Sequence, residues 1–163
     1  MIKKLHHAAY RCRDSEQTRQ FYEDFLGMRL ANAFEIKETK TGRSSKTLHS
    51  FYELDDGSYI AFFESYDTPF EFKEQHDYDL HIAVEVDPER LEEMMAKGRA
   101  AGLETRGISD HDMIDSIYFR DPNGYVVELT AKRADHDEKM DPDKNGARDK
   151  LAQWQASKQD PAA

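Results

Sequence analysis

The stretch SIYFRDPNGYVVELT, residues 116–130, decides how the rest of the chain is read. Its centre, Asp121-Pro122-Asn123-Gly124, is a turn, because proline and glycine set the backbone angles and asparagine tolerates them. Ile117-Tyr118-Phe119 and Tyr125-Val126-Val127 on either side are β-branched and aromatic runs that strands favour, so the segment predicts a β-hairpin. Glu128 interrupts the second apolar run. Carboxylates are rarely buried unless paired or bound to a metal, so Glu128 requires a partner elsewhere in the chain.

Upstream of the hairpin, residues 80–86 alternate as a strand, and Asp87-Pro88 opens a helix over about 89–101 with Leu91, Met94 and Met95 on its apolar face. Gly102 stops that helix and 103–107 is a short strand. The same order occurs nearer the N-terminus. Residues 5–12 predict a strand, Asp14-Ser15 caps a helix over 16–26, and Gly27 ends it. Strands follow at 28–37, 47–54 and 58–65, the last two joined through Asp55-Asp56-Gly57. A strand, helix and three strands therefore occur twice, at 1–66 and 79–131, across an acidic and aromatic linker at 67–78 that Pro69 breaks.

Within this repeat His7 answers His81 on the first strand of each module. Alignment on the turn glycines places Ala61 opposite Glu128. A pseudo-twofold is expected to bring His7, His81 and Glu128 to one site and leave a fourth corner without a ligand. Two neutral imidazoles and one carboxylate are a set that transition metals favour, and in non-haem Fe(II) oxygenases such a set keeps positions open for substrate and oxygen. His6 points to the opposite face by strand alternation. Glu64 ends the apolar strand YIAFFE and is the candidate fourth ligand, although three residues beyond Ala61 a regular strand turns it to the other face.

Composition bounds what such a site could serve. The 163 residues suit one domain of ordinary size, or two small similar halves sharing a core. With 38% apolar and 34% charged residues the chain reads as a polar globular protein, and no apolar run approaches the roughly 20 residues of a membrane span. MIKKLHHAAY lacks a secretory hydrophobic region, so a cytoplasmic location is expected. The net charge of −10 opposes nucleic-acid binding, and the lone Cys12, in a predicted strand, reads as an inert core thiol. Residues 132–163 form a charged extension. Ala147, Leu151 and Trp154 give it a short amphipathic helix over about 146–157, expected to dock on the body or on a second subunit, and residues 159–163 are expected to be disordered.

The pieces LHHAAYRCRDSEQTRQFYEDFLGMRL, LHIAVEV and SIYFRDPNGYVVELT resemble the vicinal oxygen chelate superfamily, over residues 1 to about 131. That superfamily includes glyoxalase I, fosfomycin-resistance proteins, bleomycin-binding proteins and extradiol dioxygenases. The resemblance implies an α+β fold in which paired βαβββ modules form a cup-shaped mixed β-sheet around a divalent metal, commonly in a homodimer. It carries the metal ligands over to His7, His81 and Glu128. Glyoxalase-type members have a second glutamate at the position of Ala61, whereas extradiol dioxygenases use three ligands. The extradiol resemblance implies Fe(II), with Mn, Ni or Zn as alternatives, a catechol-like small-molecule substrate, and catalytic roles for Tyr118 and His111. The acid-base histidine of those enzymes has no counterpart at Ser58 or Tyr59, and His49 on the preceding strand is the substitute if it faces the cup. The alternatives are a glyoxalase-like lyase or isomerase working through a metal-stabilised enediolate, which needs Glu64 inside the cup, and a metal-free binding protein of the bleomycin-sequestering type walled by Phe51, Tyr59, Phe62 and Phe63.

Overall fold

Among the described residues, eight strands form two four-stranded sheets, one from each half of the chain. The computed structural model describes residues 1–158, so the expectation for 159–163 lies outside the described residues. Strands β1 (His7–Arg11), β2 (Arg29–Glu38), β3 (Ser44–Glu53) and β4 (Tyr59–Ser65) lie in the order β1-β4-β3-β2. Strands β5 (His81–Glu85), β6 (Thr105–Asp110), β7 (Ile114–Arg120) and β8 (Val126–Lys132) repeat that arrangement as β5-β8-β7-β6. In each sheet the first and last strands run parallel and the other neighbours antiparallel. This is the α+β repeat the sequence predicts.

The register makes the repeat residue-specific. His7 lies opposite Tyr59 and Ala9 opposite Ala61, while His81 lies opposite Val126 and Ala83 opposite Glu128. Ala61 thus holds in the first sheet the place that Glu128 holds in the second.

One helix covers each sheet. Asp14 caps α1 (Ser15–Arg19), its Oδ1 accepting the Gln17 N–H at 2.8 Å, which satisfies a first-turn donor. The helix does not stay α-helical over 16–26 as its spacing predicts. Residues Gln20–Phe25 have π geometry, closed by the Leu26 N–H donating to the Phe21 carbonyl at 3.0 Å. The wider turn accompanies burial of two consecutive aromatics, Phe21 and Tyr22. Helix α2 (Pro88–Ala100) starts on proline as expected and buries Leu91 and Met94.

Both helices feed one hydrophobic cluster. Phe21, Tyr22, Tyr52, Ile60 and Phe62 from the first half join Leu91, Met94, Ile117, Phe119, Val127 and Leu129 from the second. Polar groups fasten the halves as well. The Asn123 Oδ1 accepts the Arg13 N–H at 2.8 Å, and its Nδ2 donates to Thr18 Oγ1 at 3.2 Å and to Asp121 Oδ2 at 3.0 Å. Asp121 also accepts from the backbone N–H groups of Asn123 and Tyr125 and from the Tyr22 hydroxyl at 3.2 Å. Burial pushes its carboxyl pKa up. The hairpin turn is therefore stitched to α1 across 100 or so residues of sequence, through the kind of satisfied network that buried polar groups require.

Residues 67–78 form no helix or strand, as predicted, yet they pack on the body. Phe70 and Phe72 stand 6.1 and 5.6 Å from Tyr125, and a Cβ on Gly124, whose φ is +102°, would come within 2.8 Å of the Phe72 ring. The charged run after β8 holds a helical turn the sequence does not announce, α3 (His136–Lys139), tied down by Lys139 to Asp135 and Asp112 at 2.8 and 2.6 Å. Helix α4 (Ala147–Ser157) forms where predicted but buries no residue; Leu151 and Trp154 are 59% and 62% exposed. The expected docking of this helix on its own body is not what the structure holds. No helix among the described residues is long and apolar enough to cross a membrane.

Candidate metal centre

Strand β5 delivers His81 and strand β8 delivers Glu128 to one face of the second sheet. The pairing is diagonal: His81 faces Val126, so the residue two further along β8 on the same side is Glu128. His81 Nε2 and Glu128 Oε2 are 3.4 Å apart. The other ring nitrogen of His81, Nδ1, lies 3.2 Å from the Asp77 carbonyl oxygen, which orients the imidazole and leaves Nε2 directed at the carboxylate. Glu128 is only 6% exposed, so its charge sits largely out of water.

The strand partner of Glu128 on β7 is Tyr118. Its hydroxyl donates to Glu128 Oε1 at 3.2 Å and lies 2.6 Å from His111 Nε2. Burial first, and then the neighbouring Glu128 carboxylate, hold the Tyr118 pKa above the ordinary phenol value, so the group is a neutral donor. The short contact to His111 Nε2 joins the imidazole to the same hydroxyl. The expected roles of Tyr118 and His111 therefore share one hydrogen-bonded chain that ends on Glu128.

A cavity of about 320 Å³ opens beside this chain, lined by Asp77, Tyr78, His81, Arg106, His111 and Tyr118. The spacing of residues does not single out Arg106, which falls in the short strand predicted at 103–107. In the sheet it lies opposite Tyr118, 5.4 Å from the centre of its ring, and is held by Asp77 at 2.8 Å. Its one sequence signal is that register partner.

The first sheet presents His7, which the structure does not bring to His81 and Glu128 within one chain. Among the described residues no three histidine, cysteine or acidic side chains cluster as a metal would require. His7 Nδ1 instead lies 2.8 Å from His6 Nδ1, and the ring is exposed on an aromatic face with Phe51 at 5.4 Å and His49 at 6.2 Å. His6 is thus a neighbour that orients His7 rather than a residue remote from it. His49 does face this side, but it is buried, stacked on Phe63 at 3.7 Å, with Nδ1 2.9 Å from the Phe62 carbonyl oxygen. Burial lowers its pKa. It stands in the His7 half of the protein, not with Tyr118 and His111.

Glu64 is accounted for differently from the four-ligand expectation. It shares the Phe62 side of β4, toward α1, and its Oε2 accepts the Ser15 N–H at 2.6 Å. It serves the start of α1, and Ala61, fully buried, supplies no donor at the equivalent of Glu128.

The model of the Glyoxalase/Bleomycin resistance protein/Dioxygenase superfamily matches residues 4–129. The chain belongs to this superfamily. Among curated relatives, lactoylglutathione lyases of Neisseria meningitidis serogroups A and B are each 28% identical over 141 residues, covering 82% of this chain and 94% of theirs. Among solved structures, a mutant of the fosfomycin resistance protein FosX from Listeria monocytogenes, complexed with Mn(II) and 1S,2S-dihydroxypropylphosphonic acid, superposes with a TM-score of 0.63 at 24% identity. That match covers 85% of this chain and all of the FosX chain. An integron cassette protein from the mobile metagenome of Halifax Harbour sewage outfall gives a TM-score of 0.57 at 22% identity, covering 80% of this chain and 99% of that one. These structures share the glyoxalase-type fold.

Proposed function

We propose that this superfamily member is a divalent-metal-dependent enzyme of the lyase or isomerase kind that works with three protein ligands, since Glu64 lies outside the cup, and acts on a small oxygen-rich, anionic substrate, with its metal held between two copies of the chain. The observation that carries the reading is the His81–Glu128 pair beside an open cavity, with His7 on the exposed face of the other sheet. The residues fit a cation: a nearly buried carboxylate faces an imidazole whose other nitrogen is already engaged. His81 and Glu128 of one copy, with His7 of a second copy, supply the two imidazoles and one carboxylate. Phe34, 44% exposed, Phe51, Tyr59 and Phe63 surround His7 with an aromatic surface that would close over the cavity of the other copy. An isologous dimer makes two such sites.

When bound, the metal supplies a Lewis acid that polarises substrate oxygens. The chain supplies the rest. Tyr118 holds Glu128 in place through its phenol, and His111 gives or takes a proton at the Tyr118 oxygen. Arg106 turns from Asp77 to an anionic substrate group entering the cavity. Lactoylglutathione and fosfomycin, the compounds in the relatives' names, are both oxygen-rich and anionic and are the first substrates to test. Ala61 keeps a second reading in view: three protein ligands with Tyr118 nearby also suit an Fe(II) extradiol dioxygenase.

The test is complementation. His7→Ala and His81→Ala each lose Mn(II) binding as homodimers, and refolding them together in equal amounts restores about a quarter of the wild-type capacity, because half the dimers are mixed and each holds one intact site of two. No recovery on mixing refutes the shared site. Turnover of either named compound by the Mn(II)- or Ni(II)-loaded protein supports the lyase or isomerase reading, while O₂ uptake with catechols by the Fe(II)-loaded protein replaces it with the dioxygenase.

A further inference from the structure

Helix α4 is an 11-residue amphipathic helix with nothing on it. At 100° per residue, Ala147, Leu151 and Trp154 share one face, Arg148 and Lys150 flank that face, and the helix's one acid, Asp149, points away from it. Residues 144–158 carry Lys144, Arg148, Lys150 and Lys158 against that single carboxylate, in a chain whose net charge is −10. The apolar stripe is therefore framed by cations on a protein that is otherwise strongly acidic.

The body holds a surface of opposite sign. A cleft of about 680 Å³ runs between the β3–β4 turn and the start of α2. Leu54 and Val86 give it apolar ground, and Asp55, Asp56, Glu85, Asp87, Glu89 and Glu93 surround it. Two of these are neutralised within the body, Glu85 by Lys132 at 3.0 Å and Glu93 by Arg90 at 2.6 Å. Asp55, Asp87 and Glu89 have no ion-pair partner among the described residues.

We propose that α4 of one copy docks in this cleft of a second copy, Leu151 and Trp154 against Leu54 and Val86, with Arg148 and Lys150 facing the unpaired carboxylates. Charge complementarity selects the cleft. A second copy is the occupant because α4 buries no residue against the body of its own chain. Arg133 and Lys139 fasten the beginning of the extension to Asp110, Asp115 and Asp112 at the β6–β7 end, whereas the cleft lies on the β5 and α2 side, at the other edge of the sheet. This exchange of helices is separate from the metal site, and its test uses no metal.

Trp154 is the chain's one tryptophan, so its fluorescence reports the contact directly. In the metal-free full-length protein, emission shifts to the blue and acrylamide quenching falls as concentration rises. Added NaCl reverses both, as screening of the charges requires. The full-chain double variant Asp55→Lys, Glu89→Lys keeps its far-UV spectrum but loses the blue shift. Adding excess full-chain Trp154→Ala, which is dark and has an intact cleft, restores the shift in the double variant. An emission unchanged by concentration and by charge reversal overturns the proposal, and so does a blue shift that persists in a monomer by light scattering. Recovery on adding Trp154→Ala supports docking between copies, and its failure overturns it.

Discussion

Replacing Asn123 by alanine removes three hydrogen bonds from one buried side chain: acceptance from Arg13 N–H, donation to Thr18 Oγ1 and donation to the Asp121 carboxylate. The first two are ordinary bonds worth about 1 kcal/mol each, and the third, to a charged group, about 1.5–3 kcal/mol. The Thr18 hydroxyl keeps its bond to the Asp14 carbonyl, so its loss lies at the low end, and with the bond to Asp121 also taken at its low end the total comes to about 3 kcal/mol. For a chain of this size that corresponds to a melting temperature lower by about 6–12 °C. Urea unfolding followed by circular dichroism measures it, with the midpoint falling and the m-value unchanged. Asn123→Asp keeps the acceptor for Arg13 but sets a second carboxylate against Asp121, so its loss is as large at neutral pH and shrinks in acid. If Asn123→Ala costs less than about 1 kcal/mol with an unchanged m-value, the turn is not the fastening between halves that its bonds describe.

Burial raises the Asp121 carboxyl pKa above its unfolded value of 3.8, so the folded state holds that proton more tightly. The resulting stability is fully present below that value and is lost as pH rises through the folded pKa; the balance between wild type and Asp121→Asn therefore moves toward the variant as pH rises above 3.8, read by denaturation at each pH. Cys12 is buried and its thiol is pushed up to about 11, so iodoacetamide at pH 8 labels the native protein at least ~100-fold more slowly than the urea-unfolded chain, by mass spectrometry. Gly98→Ala drives a Cβ into a Phe119 ring carbon and to 2.7 Å from Thr105 Oγ1, and despite the better helix residue it lowers stability by about 1–2 kcal/mol in urea titrations. Tyr118→Phe removes the donor that fixes Glu128 and weakens Mn(II) binding by about 10–100-fold in calorimetric titration, with the fold intact by circular dichroism.

The hairpin, the caps and the repeat are legible in the residues because each rests on local spacing. Asp14 caps α1 and Pro88 starts α2 where their types demand, and the turn glycines align Ala61 with Glu128 before any register is known. Pairing His81 with Glu128 follows from the same alignment. Less local features are not written in spacing. The π turn of Gln20–Phe25 follows from what Phe21 and Tyr22 meet in the core, and Glu64 finds Ser15 only once β4 lies beside β1. Arg106 and Asp77 belong to the cavity through a contact across 29 positions, invisible in a segment of mixed charge. His7 is the instructive case: its equivalence to His81 is correct in register, yet equivalence on two sheets does not place both side chains at one point in one chain.

The turn at Asp121–Gly124 launches the strand that carries the candidate ligand and is also nailed to α1 of the other half. Loosening it would blunt the chemistry and soften the whole molecule in the same stroke. In a genetic screen, conditional alleles that fail only on warming should therefore gather at Asp121, Asn123, Thr18 and Tyr22, far from the cavity itself, while alleles lost at every temperature gather at His81 and Glu128.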